Sequence, residues 1–384
     1  MPRHAVIEVD LDAIAANTAA LRRAAPYAEL CAVVKADGYG HGAVPSARAA
    51  LAGGATWLAV ALVEEGVALR DAGLDAPILV LSQPPEDSMA DAFDARLVPT
   101  LYTRDGIAAA AAAAAAGGSA AGSGGDQGWT VHLKIDTGMH RVGAAVEDAV
   151  ELAGLIDRCD ELHLGGVFTH LACADEPGHP LTVLQLSRFE TVLQQLQAAG
   201  IDTDSVHAAN SAGLLLHSRS HGDMVRAGIA LYGIDPVPGS GKGDELVPAL
   251  SLRSEVSFVR SVPAGEGVSY GMRHLFDRPA TVAVVPLGYA DGVPRNLGLS
   301  GGEVLIGGVR HPIRGVVTMD QLVVETTGSN VAPGDEVVLI GSQGDQVVTA
   351  QEWAWLTDTI PYEIVCGFSA RLPRRYSGAA AGRA

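Results

Sequence analysis

The chain has 384 residues, enough for two domains of ordinary size, and 48% of them are hydrophobic, so a large core can form. Its formal net charge of −18 argues against nucleic acids and anionic membrane surfaces as partners. No run approaches the roughly 18 apolar residues of a membrane span, no signal-peptide core follows Met1, and the four cysteines are widely spaced, which predicts a cytoplasmic protein with reduced thiols and no metal site.

The first part of the chain, from about residue 5 to 235, alternates between short apolar runs and stretches with helical spacing. The predicted strands are Leu30–Val34, Trp57–Leu62, Ile78–Leu81, Val131–Ile135, Gly165–Thr169 and Val206–Ala208. Helical spacing is clear at Glu64–Ala72 and Pro180–Ala199. This repetition predicts an α/β fold with a parallel sheet. About 230 residues without a dinucleotide-binding fingerprint favour a closed, TIM-type (β/α)8 barrel.

One segment within this part has a biased composition. Residues 108–116 are nine consecutive alanines, and a glycine- and serine-rich stretch follows as far as Gly128. The alanines predict the continuation of a surface helix, and the remainder predicts a flexible loop.

After about residue 238 helical spacing nearly disappears, and short β-branched or alternating runs are separated by proline and glycine turns. These runs are Leu250–Val262, Ala280–Val285, Glu303–Ile306, Val316–Glu325 and Glu336–Ile340. They predict an antiparallel β domain. The boundary lies near Pro236–Lys242, so we expect a barrel over residues 1–238 and a β domain over residues 239–384, with the first few residues as candidates to pack on the β domain.

The segment around Lys35 is the most informative part of the chain. It runs Cys31-Ala-Val-Val-Lys35-Ala-Asp-Gly-Tyr39-Gly-His-Gly42, an apolar strand that ends in a lysine before a glycine turn. Burial lowers the pKa of an amine, which can then act as a nucleophile or a base. Lys35 is therefore a candidate Schiff-base lysine for a carbonyl cofactor such as pyridoxal phosphate. The alternative is a strand-end lysine that reaches for water.

Polar side chains also follow other predicted barrel strands. Lys134 lies inside a strand and Arg141 follows a glycine turn, where its guanidinium could bind a carboxylate or phosphate. The alternative is that both form ion pairs within the barrel. His170 follows the strand Gly165–Thr169. It is a candidate to support the site, although a hydrogen-bonded core histidine is the commoner case.

Two blocks near the end of the barrel predict an anion site. Asn210 and Ser211 stand where a helix should begin, and N–H groups at a helix N-terminus bind anions, although Ser211 could simply be the N-cap. Arg226, Gly228 and Tyr232 lie near the last barrel strands, where barrels often bind phosphate. The alternative is that Arg226 pairs with a carboxylate and Gly228 is only a turn.

Taken together, these blocks resemble the alanine racemase family, bacterial pyridoxal-phosphate enzymes with a barrel and a β domain. The similarity runs in order from Glu8–Asp12 to Arg371–Arg374, and the block around Lys35 is its most specific part. In the β domain the matching blocks are Val268-Ser-Tyr270-Gly271, Gly288-Tyr289-Ala-Asp-Gly292 and Thr318-Met319-Asp320-Gln321. Alone, these β-domain blocks would carry little weight.

The resemblance implies a reaction and two catalytic residues. L-Alanine and D-alanine would be interconverted, which supplies D-alanine for peptidoglycan. Lys35 would hold pyridoxal 5′-phosphate and act as the base on one face of the substrate Cα. Tyr270 would be the base on the other face and would come from the second subunit of a homodimer.

The resemblance also implies a set of binding residues. The cofactor would be bound by Lys35, Tyr39, His170, Asn210, Ser211, Arg226, Gly228, Ile229 and Tyr232. Within this set, Arg226 would face the pyridine nitrogen, and His170 would link Arg226 to Tyr270. The substrate carboxylate would be held by Arg141 and the Met319 N–H, with supporting roles for Lys134, Asp320 and Tyr289. In the family the lysine at position 134 is often carbamylated, which would position Arg141.

Two positions depart from the family pattern. Ala370 stands where the family often has a tyrosine that binds phosphate and narrows substrate access, and Val316 stands where it usually has an arginine. A racemase for serine, lysine or several amino acids therefore remains an alternative. A pyridoxal-phosphate barrel without turnover would lack the β domain, and a related decarboxylase would place a carboxylate at the position of Arg226.

Overall fold

The computed structural model of the chain describes residues 4–117 and 128–379, which form two compact units. One unit consists of Ala13–Gly38 and Ala43–Val247. The other combines strand β1 (Ala5–Asp10), the segment Tyr39–Gly42 and the chain from Pro248 onward. The glycine- and serine-rich loop predicted after the alanines lies, over residues 118–127, outside the described residues.

The first unit is a parallel barrel, as predicted. Its eight strands are β2 (Glu29–Val33), β3 (Trp57–Val60), β4 (Ile78–Val80), β5 (Val98–Leu101), β6 (Trp129–Lys134), β7 (Leu162–Phe168), β8 (Ser205–His207) and β9 (Met224–Ala227). Consecutive strands from β2 to β8 pair in parallel, and β2 also pairs with β9. Between β8 and β9, the Arg226 N–H donates to the Ala209 carbonyl (3.0 Å). The predicted strands did not include β9 or β5, and in β5 Pro99 interrupts the strand pattern.

Helices alternate with these strands. They are α1 (Leu11–Ala24), α2 (Lys35–Tyr39), which is a single left-handed turn, α3 (Ala43–Ala52), α4 (Val63–Asp71), α5 (Met89–Asp94), α6 (Arg104–Ala116), α7 (Ala149–Asp157), α8 (Pro180–Ala198) and α9 (Ser211–Leu216). The alanine run lies in α6 as predicted, and Thr103 caps that helix by accepting a hydrogen bond from the Gly106 N–H (3.0 Å). Pro180 begins α8, a position where its missing N–H costs nothing. None of the described helices is long and apolar enough to cross a membrane.

The second unit is built mainly from antiparallel strands, which confirms the predicted β domain. Its strands are β1, β10 (Leu250–Glu255), β11 (Phe258–Val262), β12 (Gly267–Val268), β13 (His274–Leu275), β14 (Ala280–Val285), β15 (Glu303–Ile306), β16 (Val309–Pro312), β17 (Leu322–Glu325), β18 (Glu336–Gln343), β19 (Gln346–Val348) and β20 (Arg374–Ser377). The largest sheet has the order β16-β15-β18-β10-β1-β20, and β11-β14-β17 and β12-β13 form two smaller sheets.

Three features of this unit differ from the sequence prediction. β1 and β20 pair in parallel, and two helices, α10 (Ala350–Thr357) and α11 (Pro361–Cys366), lie within the unit. The predicted strand Leu250–Val262 divides into β10 and β11, because the Ser257 N–H donates to Val284 (2.9 Å) and begins a second sheet. Of the predicted strand Val316–Glu325, only Leu322–Glu325 is extended. The preceding residues form the loop that carries Met319.

Candidate active site

Lys35 follows the buried strand β2 and begins a left-handed turn. Ala36, Asp37 and Gly38 have φ values of 52°, 52° and 60°, a region that costs a non-glycine residue about 1–2 kcal/mol. Three hydrogen bonds hold the turn: the Ala36 N–H donates to Glu65 Oε1 (2.6 Å), the Ala43 N–H donates to Asp37 Oδ1 (2.9 Å), and the Gly38 N–H donates to the Val34 carbonyl (2.9 Å). Half-buried Lys35 is thus fixed at the carboxyl end of a barrel strand.

Arg226 is the most extensively bonded side chain of the barrel end. Its Nη1 donates to His207 Nδ1 (2.7 Å). Its Nη2 approaches three acceptors, the carbonyls of Thr169 (2.8 Å) and Ala208 (3.1 Å) and Nδ1 of His170 (3.4 Å). No described carboxylate forms an ion pair with it, so the alternative of a carboxylate partner is wrong. Burial lowers the pKa of Arg226 to about 10, which leaves it cationic at neutral pH.

The histidines around Arg226 are neutral. Burial, and next the charge of Arg226, hold the pKa values of His170 and His207 well below their usual range. Because Arg226 only donates, His207 Nδ1 must accept, and the His207 proton resides on Nε2. Nε2 therefore donates to His132 Nδ1 (3.0 Å), and the pKa of buried His132 is lowered to about 3. Arg226 is thus oriented without a neutralising charge.

Lys134 and Arg141 lie in a segment whose two ends, near residues 134–136 and 144, are joined by backbone hydrogen bonds. The Asp136 N–H donates to the Ala144 carbonyl and the Ala144 N–H donates to the Lys134 carbonyl (both 2.8 Å). Lys134 is only 5% exposed, and its Nζ lies 5.6 Å from the centre of the Phe168 ring. Burial lowers the pKa of Lys134 to about 8, and the charges of Arg226, Arg141 and Lys35 add to this effect.

Lys134 Nζ and Arg226 Cζ lie 5.6 Å and 5.1 Å from the centre of the same Phe168 ring. The charges of Arg141 and Lys35 also reach Lys134, so these four cationic side chains share one region of the barrel unit. Within the described residues neither Lys134 nor Arg141 forms an ion pair with a carboxylate, so the structure does not favour the alternative of barrel ion pairs. Asp136 accepts N–H bonds from Gly138, Met139 and His140 on one carboxylate oxygen (2.9, 2.9 and 3.1 Å). Burial tends to raise its pKa, but these hydrogen bonds lower it overall.

The predicted anion site is formed by the start of α9 and the residues after β9. Asn210, rather than Ser211, is the N-cap, because its Oδ1 accepts from the Gly213 N–H (2.9 Å). The buried Ser211 hydroxyl instead accepts from the N–H groups of Gly228 (2.9 Å) and Ala230 (3.4 Å). A hydroxyl and backbone N–H groups therefore lie together where the sequence predicted a phosphate site.

Two tyrosines predicted to bind the cofactor are buried. The Tyr232 hydroxyl donates to the Val33 carbonyl (3.1 Å), at the end of the strand that leads to Lys35. Tyr39 clusters with the second unit, where its ring centre lies 6.2 Å from that of Tyr362. Burial raises the pKa of the Tyr39 phenol above its usual range, so this hydroxyl keeps its proton.

Tyr270 lies on an exposed turn of the second unit. The turn joins β12 and β13, and the Tyr270 side chain is 72% exposed. Met272 and Leu275, on the same hairpin, are also exposed. Such exposed apolar side chains are typical of a surface that binds another molecule.

The loop before β17 presents the Met319 backbone. The N–H groups of Tyr289 and Ala290 donate to the carbonyls of Thr318 (3.0 Å) and Met319 (3.1 Å). A Cβ on Gly288 would lie 2.2–2.3 Å from these carbonyl oxygens, so only glycine allows this approach. The loop is therefore held by its main chain.

A side chain that the sequence analysis did not assign steadies the same loop. Arg371 Nη2 donates to Asp320 Oδ1 (2.7 Å), and its Nε lies 3.5 Å from the buried carboxylate of Asp291. His207 and His132 were likewise not assigned. The sequence places each of these histidines inside an apolar strand, which indicates a buried polar side chain. It does not show that His207 bonds to Arg226 and to His132.

Two models of known protein families match this chain, one over its first part and one over its second part. Residues 9–236 match the alanine racemase N-terminal domain, and residues 249–376 match the alanine racemase C-terminal domain. Among characterised sequences, the alanine racemase of Symbiobacterium thermophilum is 48% identical over 374 residues, 97% of this chain and 96% of that protein. The alanine racemase of Thermobifida fusca is 43% identical and covers 99% of this chain and all of its own length.

Solved structures show the same similarity. The alanine racemase from D-cycloserine-producing Streptomyces lavendulae superimposes with a TM-score of 0.91 at 38% identity, covering 99% of this chain and 98% of its own. The alanine racemase from Bacillus anthracis with bound L-Ala-P gives a TM-score of 0.89 at 36% identity, covering 99% and 96%.

Proposed function

Since the chain belongs to the alanine racemase family and is therefore an amino-acid racemase, we propose that it interconverts L- and D-alanine with pyridoxal phosphate and two bases, Lys35 and Tyr270. The observation that carries the proposal is the placement of Lys134 and Arg226 over the same Phe168 ring, with Lys35 on the turn after β2 and Arg141 close enough for its charge to lower the pKa of Lys134. Four cations with neutral histidines beside them fit a phosphate-bearing cofactor and a carboxylate-bearing substrate.

The donor groups of the barrel fit pyridoxal phosphate. The Ser211 hydroxyl would bind the phosphate together with the backbone around Gly228 and Ile229, at the start of the following turn. Asn210 and Tyr232 would support the cofactor site without touching the phosphate. Asn210 caps α9, and the Tyr232 hydroxyl is hydrogen-bonded to the strand before Lys35. When bound, the cofactor makes the α-proton of the amino acid acidic enough to remove.

Arg226 would set the electronic character of the site. It is cationic, it only donates, and its partners are neutral histidines and carbonyls. Facing the pyridine nitrogen, it would disfavour protonation of that atom, whereas the carboxylate of a decarboxylase would favour it. This difference supports racemisation over decarboxylation.

Proton transfer would require one base on each face of the substrate Cα. Lys35 would serve one face from the barrel, because the turn after β2 fixes its position. Tyr270 would serve the other face, with its phenol returning a proton to Cα. Arg141 and the Met319 N–H would hold the substrate carboxylate, and Lys134, Asp320 and Tyr289 would support them.

The exposed hairpin with Tyr270, Met272 and Leu275 supports a homodimer in which Tyr270 completes the partner's site. Mixing inactive Lys35→Ala and Tyr270→Ala proteins should then restore activity, because one kind of site in the mixed dimer has both bases. No recovery, despite subunit exchange demonstrated by mass spectrometry, would contradict the shared site.

Alanine is the proposed substrate. The Bacillus anthracis relative is described with bound L-Ala-P, which supports a small amino acid in the corresponding site here. Ala370 is exposed and Val316 is buried, and neither is one of the proposed bases. Following the loss of optical rotation with each L-amino acid separates an alanine racemase from one for serine, lysine or several amino acids. The product would supply D-alanine for peptidoglycan, and the four free cysteines support a cytosolic location.

The cofactor attachment can be tested directly, because the chain has only three lysines, Lys35, Lys134 and Lys242. Borohydride reduction followed by peptide mapping should find the cofactor on the Lys35 peptide. Lys242→Arg serves as the control, since Lys242 is exposed in the segment between the two family domains. Label on Lys134 or Lys242 instead would refute the assignment.

A further inference from the structure

The turn that carries Tyr270 has a strained backbone. Ser269 has φ +63° and ψ −176°, Gly271 has φ +74°, and Met272 has φ +46°. Residues other than glycine rarely have positive φ, and the combination at Ser269 is almost confined to glycine. Such a conformation persists only where surrounding contacts impose it.

The hairpin by itself offers few such contacts. Strands β12 and β13 pair at Gly267 with Leu275 and at Val268 with His274, and the hydrogen bonds of Phe276 with Gly265 and Glu266 lie at the end of the hairpin away from the turn. Within the turn, the Met272 N–H reaches the Ser269 carbonyl at 3.3 Å, which is a long bond. The Tyr270 side chain is mostly exposed, so packing does not fix it.

A contact from a distant part of the chain supplies the constraint. The Ser269 hydroxyl donates to the Val316 carbonyl at 2.6 Å, across 47 residues of sequence. Gly315 faces the same turn: a Cβ there would lie 2.9 Å from the Val268 oxygen and 3.0 Å from Ser269 Cβ, and its φ is +72°. The glycine lets the two segments approach, and the hydroxyl joins them.

We propose that Ser269 is a positioning residue whose hydroxyl tethers the Tyr270 turn to Gly315–Val316 and so fixes the orientation of the Tyr270 phenol. The inference rests on the proposed role of Tyr270 as a base. Ser269 takes no part in proton transfer, and its contribution is orientation, which acts on turnover. The bond uses the Val316 carbonyl, so it does not depend on the side chain at position 316.

Ser269→Ala removes the tether and keeps Cβ. We expect kcat to fall about 3- to 10-fold, as for one lost hydrogen bond, with KM and cofactor affinity unchanged. Ser257→Ala is the matched control, because the Ser257 hydroxyl makes the same kind of bond to the Val284 carbonyl (2.9 Å) in the same unit. It should leave all three quantities unchanged.

A double-mutant cycle tests whether Ser269 acts through Tyr270. In a Tyr270→Phe background, Ser269→Ala should cause no further loss of turnover. The same fractional loss in both backgrounds would show a general structural role and overturn the proposal. If Tyr270→Phe alone keeps full racemisation, the proposed base is refuted and this role of Ser269 with it. If Tyr270→Phe loses activity and Ser269→Ala does not, only the tether is refuted.

Hydrogen exchange of the cofactor-free protein gives a readout independent of activity. Peptides covering residues 267–275 should exchange faster in Ser269→Ala than in the wild type, because the strained turn is no longer held. Ser257→Ala should leave these peptides unchanged. Equal exchange in Ser269→Ala and the wild type would overturn the proposal.

Discussion

The barrel end and the Tyr270 turn hold their functional residues in different ways. At the barrel end, buried Arg226 has several side-chain and carbonyl partners, and Lys35 stands on a turn fixed by three hydrogen bonds. In the second unit, Tyr270 projects from a short hairpin whose tip is tethered mainly by one hydroxyl. The barrel side is thus preorganised by its own core, whereas the tyrosine side depends on a few main-chain contacts and, we propose, on a partner subunit.

The two regions also differ in charge. At the barrel end four cations converge and the neighbouring histidines are neutral. In the second unit, Arg371 is paired with Asp291 and Asp320. A buried arginine whose partners are neutral can bind an anionic ligand, while an arginine paired with carboxylates mainly holds a loop in place. We therefore propose that anionic ligands bind chiefly at the barrel end and that the pairing of Arg371 chiefly positions the backbone of the β unit.

The largest expected effect is that of Lys35→Ala. Losing both the cofactor attachment and one base should lower turnover by about 10⁴-fold or more. Exchange of the Cα proton with deuterated solvent, followed by NMR, should disappear from both enantiomers. Both enantiomers need the cofactor that Lys35 would hold in the barrel. Lys242→Ala is the control and should keep full activity. Substantial exchange in Lys35→Ala would mean that another group is the base.

Tyr270→Phe should break the symmetry between the enantiomers. Racemisation should fall about 10²–10⁴-fold in both directions, equivalent to about 3–5 kcal/mol of transition-state stabilisation. Solvent exchange should nevertheless persist from the enantiomer that Lys35 serves, which we expect to be D-alanine. Equal loss of exchange from both enantiomers would contradict the division of faces between the two residues.

The neutral histidines predict a dependence of stability on pH. The pKa of His132 is lowered to about 3 in the folded chain against about 6.5 unfolded. Below pH 6.5 the unfolded state therefore binds the extra proton, and stability falls as the pH falls. From about pH 7 to about pH 5 this residue should remove about 2 kcal/mol of unfolding free energy.

Denaturant unfolding at a series of pH values and fixed protein concentration measures how the free energy of unfolding depends on pH. His132→Gln should weaken this pH dependence, because glutamine does not titrate. His140→Asn is the control, since His140 is exposed and asparagine tolerates its positive φ. An unchanged pH dependence in His132→Gln would show that folding does not lower the pKa of His132.

The smallest expected effect concerns Lys134. Its pKa of about 8 leaves a substantial neutral fraction, and a neutral amine combines with CO₂ to give a carbamate and a proton. The negative charge of the carbamate would orient Arg141, which would hold the substrate carboxylate. Lys134→Arg cannot form the carbamate and should therefore raise KM about 3- to 10-fold. A carbon-13 signal from labelled bicarbonate should grow from about pH 6 to about pH 9. It should vanish in Lys134→Arg and persist in Lys242→Arg; a signal that survives Lys134→Arg would exclude this site.

The sequence by itself determined the local units. Apolar runs between helical stretches predicted the parallel barrel, and six of its eight strands lie at the predicted places, because side-chain periodicity follows directly from backbone geometry. The strand, lysine and glycine turn around Lys35 were recognisable for the same reason. The predicted strand Val316–Glu325 was wrong over residues 316–321, which form a loop. The prediction failed there because β-branched residues favour extended structure only where other contacts do not intervene.

Only the tertiary structure decided which partners the functional residues have. Arg226 bonds to His207 and to the Thr169 carbonyl, 19 and 57 residues away, and Ser269 bonds to Val316. Asn210 rather than Ser211 caps α9, and β1 joins β10 and β20 from the far end of the chain. Local pattern determines whether a residue lies in a strand or a turn, but burial and hydrogen-bond partners depend on segments brought together by folding. These contacts set the charge state of each group and the orientation of each side chain.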